Sequence, residues 1–376
     1  MLHGSLTRRS ALKSIAAGAV SGLSVWLPMR GLRAQSGTAL KFGRVPVNAL
    51  VSNYIGEVDF FREEGVPLEL VRVDNPGQLF QAMTAGDLAV GEIGLGPSLI
   101  AAIRGLPLIA PFLGSMSTPD HPFERIMVLQ DSPIKTLDDL KGKRLGYQGP
   151  GSVPDLLLSA LPRKSKISKT DIQLLQLPPP SQPDALGQKL VDAIFSTPPV
   201  DTVAELKYGA RTLANATDLV PYSGLGTLVV RRDFAEQHPD AVKKVLTAAI
   251  RFSRWIDDNP VKARLAMGKN LGLPDDIPVH SRLPLFARNG LSVMPNVWQV
   301  YQMLVDAKTV DPAPDPEKVI NTAIVEPTER FTLPAVTVLG MQPDPAIEQM
   351  TTGEYPLLAK PNASYYADWE RRMLKL

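Results

Sequence analysis

The chain has 376 residues, 44% of them hydrophobic, and no cysteine: it can bury a large core, and disulfides, thiolate metal sites and a cysteine nucleophile are excluded. Lys and Arg number 40 against 38 Asp and Glu, a formal net of +2. Five of those basic residues and no acid lie in residues 1–34, so the remainder carries −3 and has no general bias toward nucleic acid or anionic lipid.

The start of the chain reads as a targeting segment. Residues 7–13, TRRSALK, form a basic region; SIAAGAVSGLSVWL follows as an apolar run of about fourteen residues; Pro28 and LRAQS then place a cleavage point after Ala34. The run is short of the roughly twenty residues a membrane span needs. Arg8 and Arg9, followed by Leu12 and Lys13, resemble a twin-arginine export signal, although Ala11 stands where a larger apolar residue is usual. The expectation is a soluble periplasmic protein, delivered by the twin-arginine translocase and released from residues 1–34. With no cysteine to carry a lipid, it is not a lipoprotein.

After Ala39 the pattern alternates. KFGRVPV predicts a strand, NALVSNYIGEVDFFREEG a helix ending at Gly65, and VPLELVRV a strand. NPGQLFQAMTAGD predicts a helix, LAVGEIGLG a strand, PSLIAAIRG a helix, and LPLIAPFLGS and FERIMVLQ strands. A second unit follows over about 133–222: RLGYQ, DIQLLQL, VDAIFST and ARTLAN as strands, with helices between them. TLVVRR is a strand, followed by a helical half that includes HPDAVKKVLTAAIRFSRWIDDNP. This order predicts an α/β protein built from two doubly wound, largely parallel units. The last fifty residues are proline-rich with few periodic signals, and read as a partly irregular wrapping extension.

GYQGPGS at 146–152 raises the question of a phosphate loop. A nucleotide loop of the NTPase type needs a Lys and a Ser or Thr after its last glycine; here Ser152 follows Gly151 with no Lys, and the glycine spacing does not fit the dinucleotide pattern. Ser152 as N-cap with Asp155 three residues on makes a capping-box arrangement, and the free N–H groups of such a turn favour an anion. An ordinary well-capped helix fits the same residues. Three further strand-to-helix loops share this character: Asn48 to Tyr54, Gly94 to Ser98, and Thr197 to Pro199. Two lie in each unit, at the carboxyl ends of strands, where open α/β sheets bind ligands. Catalytic candidates are thin. His121, His238 and His280 have no metal-ligand spacing, and no G-x-S-x-G elbow is present, so no enzyme activity, cofactor or metal is expected.

IKTLDDLKGKRLGYQGPGS resembles the entry to the second lobe of solute-binding proteins for nitrate, aliphatic sulfonates and taurine, the type II periplasmic binding proteins of ABC importers. These share a superfamily with the yeast-type thiamine pyrimidine synthase. QLFQAMTAGDLAVGEIGLGPSLIAAIRGLPL, KLVDAIFSTPPVDTVAELKYGARTL and TLVVRRDFAEQHPDAVKKVLTAAIRFSRWIDDNP match other blocks of the same family, so the resemblance covers about residues 40–270. It implies a clamp of two lobes, 39–132 plus 224–330 and 133–223, with residues 331–376 as the C-terminal extension. A two-strand hinge near Gln130-Asp131 and Ser223 to Thr227 would join the lobes. The protein would be a monomer that hands its ligand to an ABC permease in the inner membrane. Ligand contacts are expected from Gly96, Ser98, Gly151, Ser152 and Thr197 by family position, from Asn48, Tyr54 and Gln148 by loop position, and from Tyr222 beside the crossover. The ligand stays open among a bare anion, a small acid and a neutral heterocycle, since no arginine plainly belongs to a cleft loop and Arg44 could point either way. A periplasmic sensor input fits the same features. A thiamine-pyrimidine enzyme fits less well, because yeast-type members carry a cysteine-rich motif that this chain lacks.

Overall fold

The computed structural model describes residues 39–47 and 49–352. The expected export signal with its cleavage point, Asn48, and the chain beyond residue 352 lie outside the described residues.

The described strands are β1 (Leu40–Arg44), β2 (Leu68–Arg72), β3 (Val90–Gly94), β4 (Leu108–Ser117), β5 (Arg125–Leu129), β6 (Arg144–Tyr147), β7 (Gln173–Gln176), β8 (Ala193–Ser196), β9 (Ala210–Asn215), β10 (Ser223–Arg231) and β11 (Leu285–Phe286). They form a six-stranded sheet in the order β11-β4-β10-β3-β1-β2 and a five-stranded sheet in the order β7-β6-β8-β5-β9. β1 pairs in parallel with β2 and β3, and β6 in parallel with β7 and β8. Antiparallel strands join both sheets: β10 between β3 and β4 with β11 at the edge beside β4 in the first, and β5 between β8 and β9 in the second.

Those two strands are exchanged along the chain. The chain leaves β4 through residues 118–124 and enters the second sheet as β5; it leaves β9 through residues 216–222 and returns to the first sheet as β10. The sequence places FERIMVLQ in the first unit and the first crossing near Gln130-Asp131, whereas Arg125 to Leu129 pair within the second sheet. Alternation marks a strand but carries no information about which sheet it joins, so the crossing comes one strand earlier than the sequence implies.

Local chemistry explains the elements around the site. In the helix Pro76–Ala85 the Asn75 side chain accepts the Gln78 N–H at 3.0 Å, and Gly86 closes the helix with φ 90°. The long helix Pro239–Asp258 buries Val242, Val245, Leu246, Ala249, Phe252 and Ile256, one stripe at helical spacing, against the first sheet. The helix expected over 48–65 is instead two short turns, Val51–Tyr54 and Phe60–Glu63. Asp59 caps the second by accepting the Arg62 N–H at 3.0 Å, which starts a new turn where a continuous helix would have run on.

The C-terminal region is more helical than its prolines suggest. Helical turns run from Pro316 to Leu339, with wide π-type turns over Asn321–Val325 and Thr328–Thr332 that absorb Pro327. The Thr328 and Thr332 hydroxyls donate to the Pro111 carbonyl of β4 at 3.0 and 2.6 Å, and Phe331, Ala335 and Val336 enter the core. The largest apolar cluster is continuous between the sheets: Leu50, Ile93 and Leu99 share it with Leu145, Leu156 and Phe195. Among the described residues, no helix is long and apolar enough to cross a membrane.

Candidate ligand-binding cleft

Where the two sheets face each other, they enclose a cavity of about 50 Å³. At roughly 10–15 Å³ of such space per water, it holds on the order of four waters. Its wall comes from both sheets: Val45, Val47 and Leu50 after β1, Ile93, Gly94 and Pro97 at the end of β3, Gln148, Ser152 and Val153 after β6, and Thr197 after β8. Phe123 and Glu124, at the first crossing, and Leu225 of β10 complete it. Strand carboxyl ends and chain crossings thus converge on one small space.

Glycine lets the two halves meet. A Cβ on Gly96 would stand 2.4 Å from Leu156 Cδ1, and one on Gly94 would stand 2.8 Å from Val153 Cγ2. Both glycines sit where the first-sheet helix Leu95–Ile103 meets the second-sheet helix Val153–Leu158.

The GPGS turn is satisfied largely by its own chain. Ser152 Oγ donates to the Gly149 carbonyl at 2.6 Å and accepts the Asp155 N–H at 3.4 Å. Asp155 accepts the Gly151 N–H at 2.9 Å and pairs with Lys169 at 3.1 Å. Gly151, at φ 74°, makes the turn that permits this. What remains for the cavity is the surface of Gln148, Ser152, Val153 and Pro154.

Of the residues expected at the site, Gln148, Ser152 and Thr197 line the cavity, while Gly96 and Gly151 are next to lining residues. Ser98 makes its bonds elsewhere: its hydroxyl donates to the Gly94 carbonyl at 2.9 Å and pairs with Thr227 Oγ1 at 2.7 Å. Tyr54 is fully buried in the core, its ring edge-on to Phe286 at 5.6 Å. Tyr222 packs beside the cluster of Leu113 and Met116, and its carbonyl accepts from Asn296 and Gln299. Arg44 donates to the Asn53 side-chain oxygen and does not line the cavity.

The residue that the sequence reading passes over is Glu124. It is 1% exposed and lines the cavity, and among the described residues no group gives either carboxylate oxygen a hydrogen bond. Burial pushes its carboxyl up to about 7, eased by its own N–H and by the Ser117 hydroxyl, neither of which reaches it with hydrogen-bond geometry, and by the charge of Arg282. Arg282 is engaged elsewhere: its guanidinium donates to the Phe123 carbonyl at 3.0 Å and to Asp201 at 3.2 Å. Asp201, itself fully buried, also pairs with Arg125 at 2.7 Å. These contacts tie β5, the helix Val200–Tyr208 and the segment before β11 together behind the cavity. Glu124 is the one formally charged residue among the described lining residues. One signal for it is present in the sequence: Glu124 falls in register with Ile126 and Val128, both fully buried, and an acid at such a position needs a reason.

Residues 55–263 match the protein family described as NMT1/THI5 like. The chain belongs to this family. An Escherichia coli protein named for binding aliphatic sulfonates is 30% identical over 197 residues, 52% of this chain and 60% of that one. The taurine-binding periplasmic protein of Escherichia coli is 27% identical over 207 residues, 54% of this chain and 61% of that one. The chain thus spans about three fifths of the length of the curated relatives it matches. Among solved structures, the periplasmic aliphatic sulphonate binding protein of Escherichia coli superimposes with a TM-score of 0.61 at 24% identity, over 75% of this chain and 92% of that one. The periplasmic nitrate-binding protein of Synechocystis superimposes with a TM-score of 0.69 at 13% identity, over 81% and 90%. The fold is that of the periplasmic binding proteins, and the two relatives from Escherichia coli are named as binding proteins.

Proposed function

We propose that this protein is the exported solute-binding subunit of an ABC importer and holds a small polar solute between its two sheets. The observation that carries the reading is the shared cavity: residues from both sheets, and from a crossing between them, enclose one space of about 50 Å³. Each sheet, with its helices, acts as one lobe, and residues 118–124 and 216–222 act as the hinge, so the ligand bridges the lobes and stabilises their closure. The relatives named for sulfonate, taurine and nitrate binding support a small solute and a membrane permease as partner. Residues 1–34 direct export to the periplasm through the twin-arginine translocase, and the protein works there as a monomer. Gln148, Ser152 and Thr197 contact the ligand. No enzymatic step is assigned to the cleft.

The reading is tested by a thermal-shift screen of the purified protein, unfolded and refolded first to release any carried ligand. The panel holds alkanesulfonates, taurine, nitrate, aliphatic and aromatic carboxylates, amines and aminopyrimidines. A ligand at about 100 times its dissociation constant stabilises a fold by roughly 2.7 kcal/mol. For a chain of this size that raises the midpoint by several degrees, on the order of 5. A panel in which no compound moves the midpoint removes the solute-binding reading.

A further inference from the structure

We propose that the cleft takes a solute bearing a protonated nitrogen with N–H donors, a small amine or amidine alone or as a zwitterion, and that Glu124 is the group that receives it. This rests on the solute-binding reading above and narrows its ligand class.

A buried carboxylate without a donor is among the costliest arrangements in a protein interior. Glu124 has this arrangement, with both oxygens buried and lacking partners among the described residues. Neutralising it does not resolve the cost, because a protonated carboxyl must place its O–H on an acceptor, and no such bond is made either. Arg282 lends Glu124 its charge, but its hydrogen bonds to Phe123 and Asp201 go elsewhere. Asp201 accepts from both Arg125 and Arg282, Arg125 also reaches Glu205 at 3.2 Å, and Arg282 spends a donor on the Phe123 carbonyl. Ser117 of β4 accepts the Phe123 N–H at 3.0 Å, and its own O–H does not reach Glu124 with hydrogen-bond geometry. The unmatched group lines the cavity, where a partner from outside the fold can reach it.

The rest of the wall fits a ligand of this kind. No Lys, Arg or His is among the described lining residues, so a bare anion would meet one negative charge and no positive one. Gln148 and Thr197 offer neutral donors and acceptors on the second-sheet side, suited to the polar end of a short zwitterion. Val45, Leu50, Ile93, Phe123 and Leu225 form an apolar wall, beside which an ion pair to Glu124 is stronger than in bulk solvent.

The test uses matched pairs that differ only in the nitrogen: taurine against ethanesulfonate and isethionate, β-alanine against propionate, ethanolamine against ethylene glycol, acetamidine against acetamide. Each is measured by thermal shift and titration calorimetry on the refolded wild type and on Glu124→Gln and Glu124→Asp. The expected result is that at least one nitrogen member moves the midpoint by several degrees while its partner does not. Glu124→Gln should lower that member's affinity at least 10-fold, and Glu124→Asp should fall between. With a carboxyl that titrates near 7, the nitrogen member's affinity also weakens as pH falls below 7, by up to about tenfold per unit, and this dependence disappears in Glu124→Gln. Binding of anions and their nitrogen analogues alike, or unchanged binding in Glu124→Gln, overturns the inference and leaves the solute-binding reading standing. No shift from any nitrogen member also overturns it; failure of the whole wider panel overturns both.

Discussion

Two glutamates in this fold share a burden and differ in how they carry it. Glu92, inside β3, is 0% exposed, and Glu124, in the crossing just before β5, is 1% exposed. Burial pushes both carboxyls up to about 7. Glu92 accepts the Val51 N–H at 2.8 Å and the Ser52 N–H at 3.0 Å, and so closes the open end of the turn Val51–Tyr54. Glu124 accepts nothing from the described residues and faces the cavity. An acid in a core is structural where the chain itself brings donors to it. Where it does not, the acid is available for something from outside.

The sharpest way to break this comparison is Glu92→Ala. The substitution leaves two buried backbone N–H groups without acceptors, each worth about 1–3 kcal/mol, so at pH 5, where the carboxyl is neutral and no ionisation cost offsets the loss, a loss of about 2–6 kcal/mol is expected in urea unfolding followed by circular dichroism. A loss under about 1 kcal/mol would mean that the carboxylate does not hold the turn and that the two glutamates are alike.

The second test reads Glu124 through pH. Its folded-state carboxyl is raised from 4.5 to about 7, so between those values the folded protein holds a proton that the unfolded chain has released. Stability from this group is therefore present at low pH and lost as pH rises through the window. At about 1.4 kcal/mol per unit, the carboxylate costs on the order of 3 kcal/mol above pH 7. Glu124→Gln removes that cost, so at pH 8 the variant should be more stable than wild type by about 3 kcal/mol in the same unfolding experiment. Asp257, raised by burial to about 7, and Asp344, raised to about 6, titrate in both proteins and drop out of the difference. A destabilised variant at pH 8 would show that Glu124 has a structural partner.

Much of the architecture is legible in the sequence because it is local. The Asn75 cap, the Gly86 stop and the stripe of the long helix Pro239–Asp258 are each written in a few adjacent residues. Sheet membership is not local: β5 and β10 look like any alternating strand, and only pairing shows that they are exchanged between sheets. The cleft is legible in the same partial way. Gln148, Ser152 and Thr197 follow from their place on strand-to-helix loops. Tyr54 shares that kind of loop, yet its ring turns into the core against Phe286, because side-chain direction depends on the packing of distant elements. Glu124 is visible only as an acid in register with buried apolar neighbours, a sign that has meaning once the strand is known to be buried on both faces.

The smallest expected effect is the most discriminating. At pH 5 a carboxyl that titrates near 7 is already neutral, so Glu124→Gln exchanges one neutral planar group for another of nearly the same shape. Neither finds a partner in the described wall, so the two proteins should then agree within about 1 kcal/mol. Agreement at pH 5 together with a gain at pH 8 places the whole effect on the unpaired charge. An equal gain at both pH values would mean that the glutamine has found a hydrogen bond of its own in the cleft. A loss at pH 5 would mean that the neutral acid donates its O–H to a group within the fold, and Glu124 would then belong with Glu92 as a structural residue.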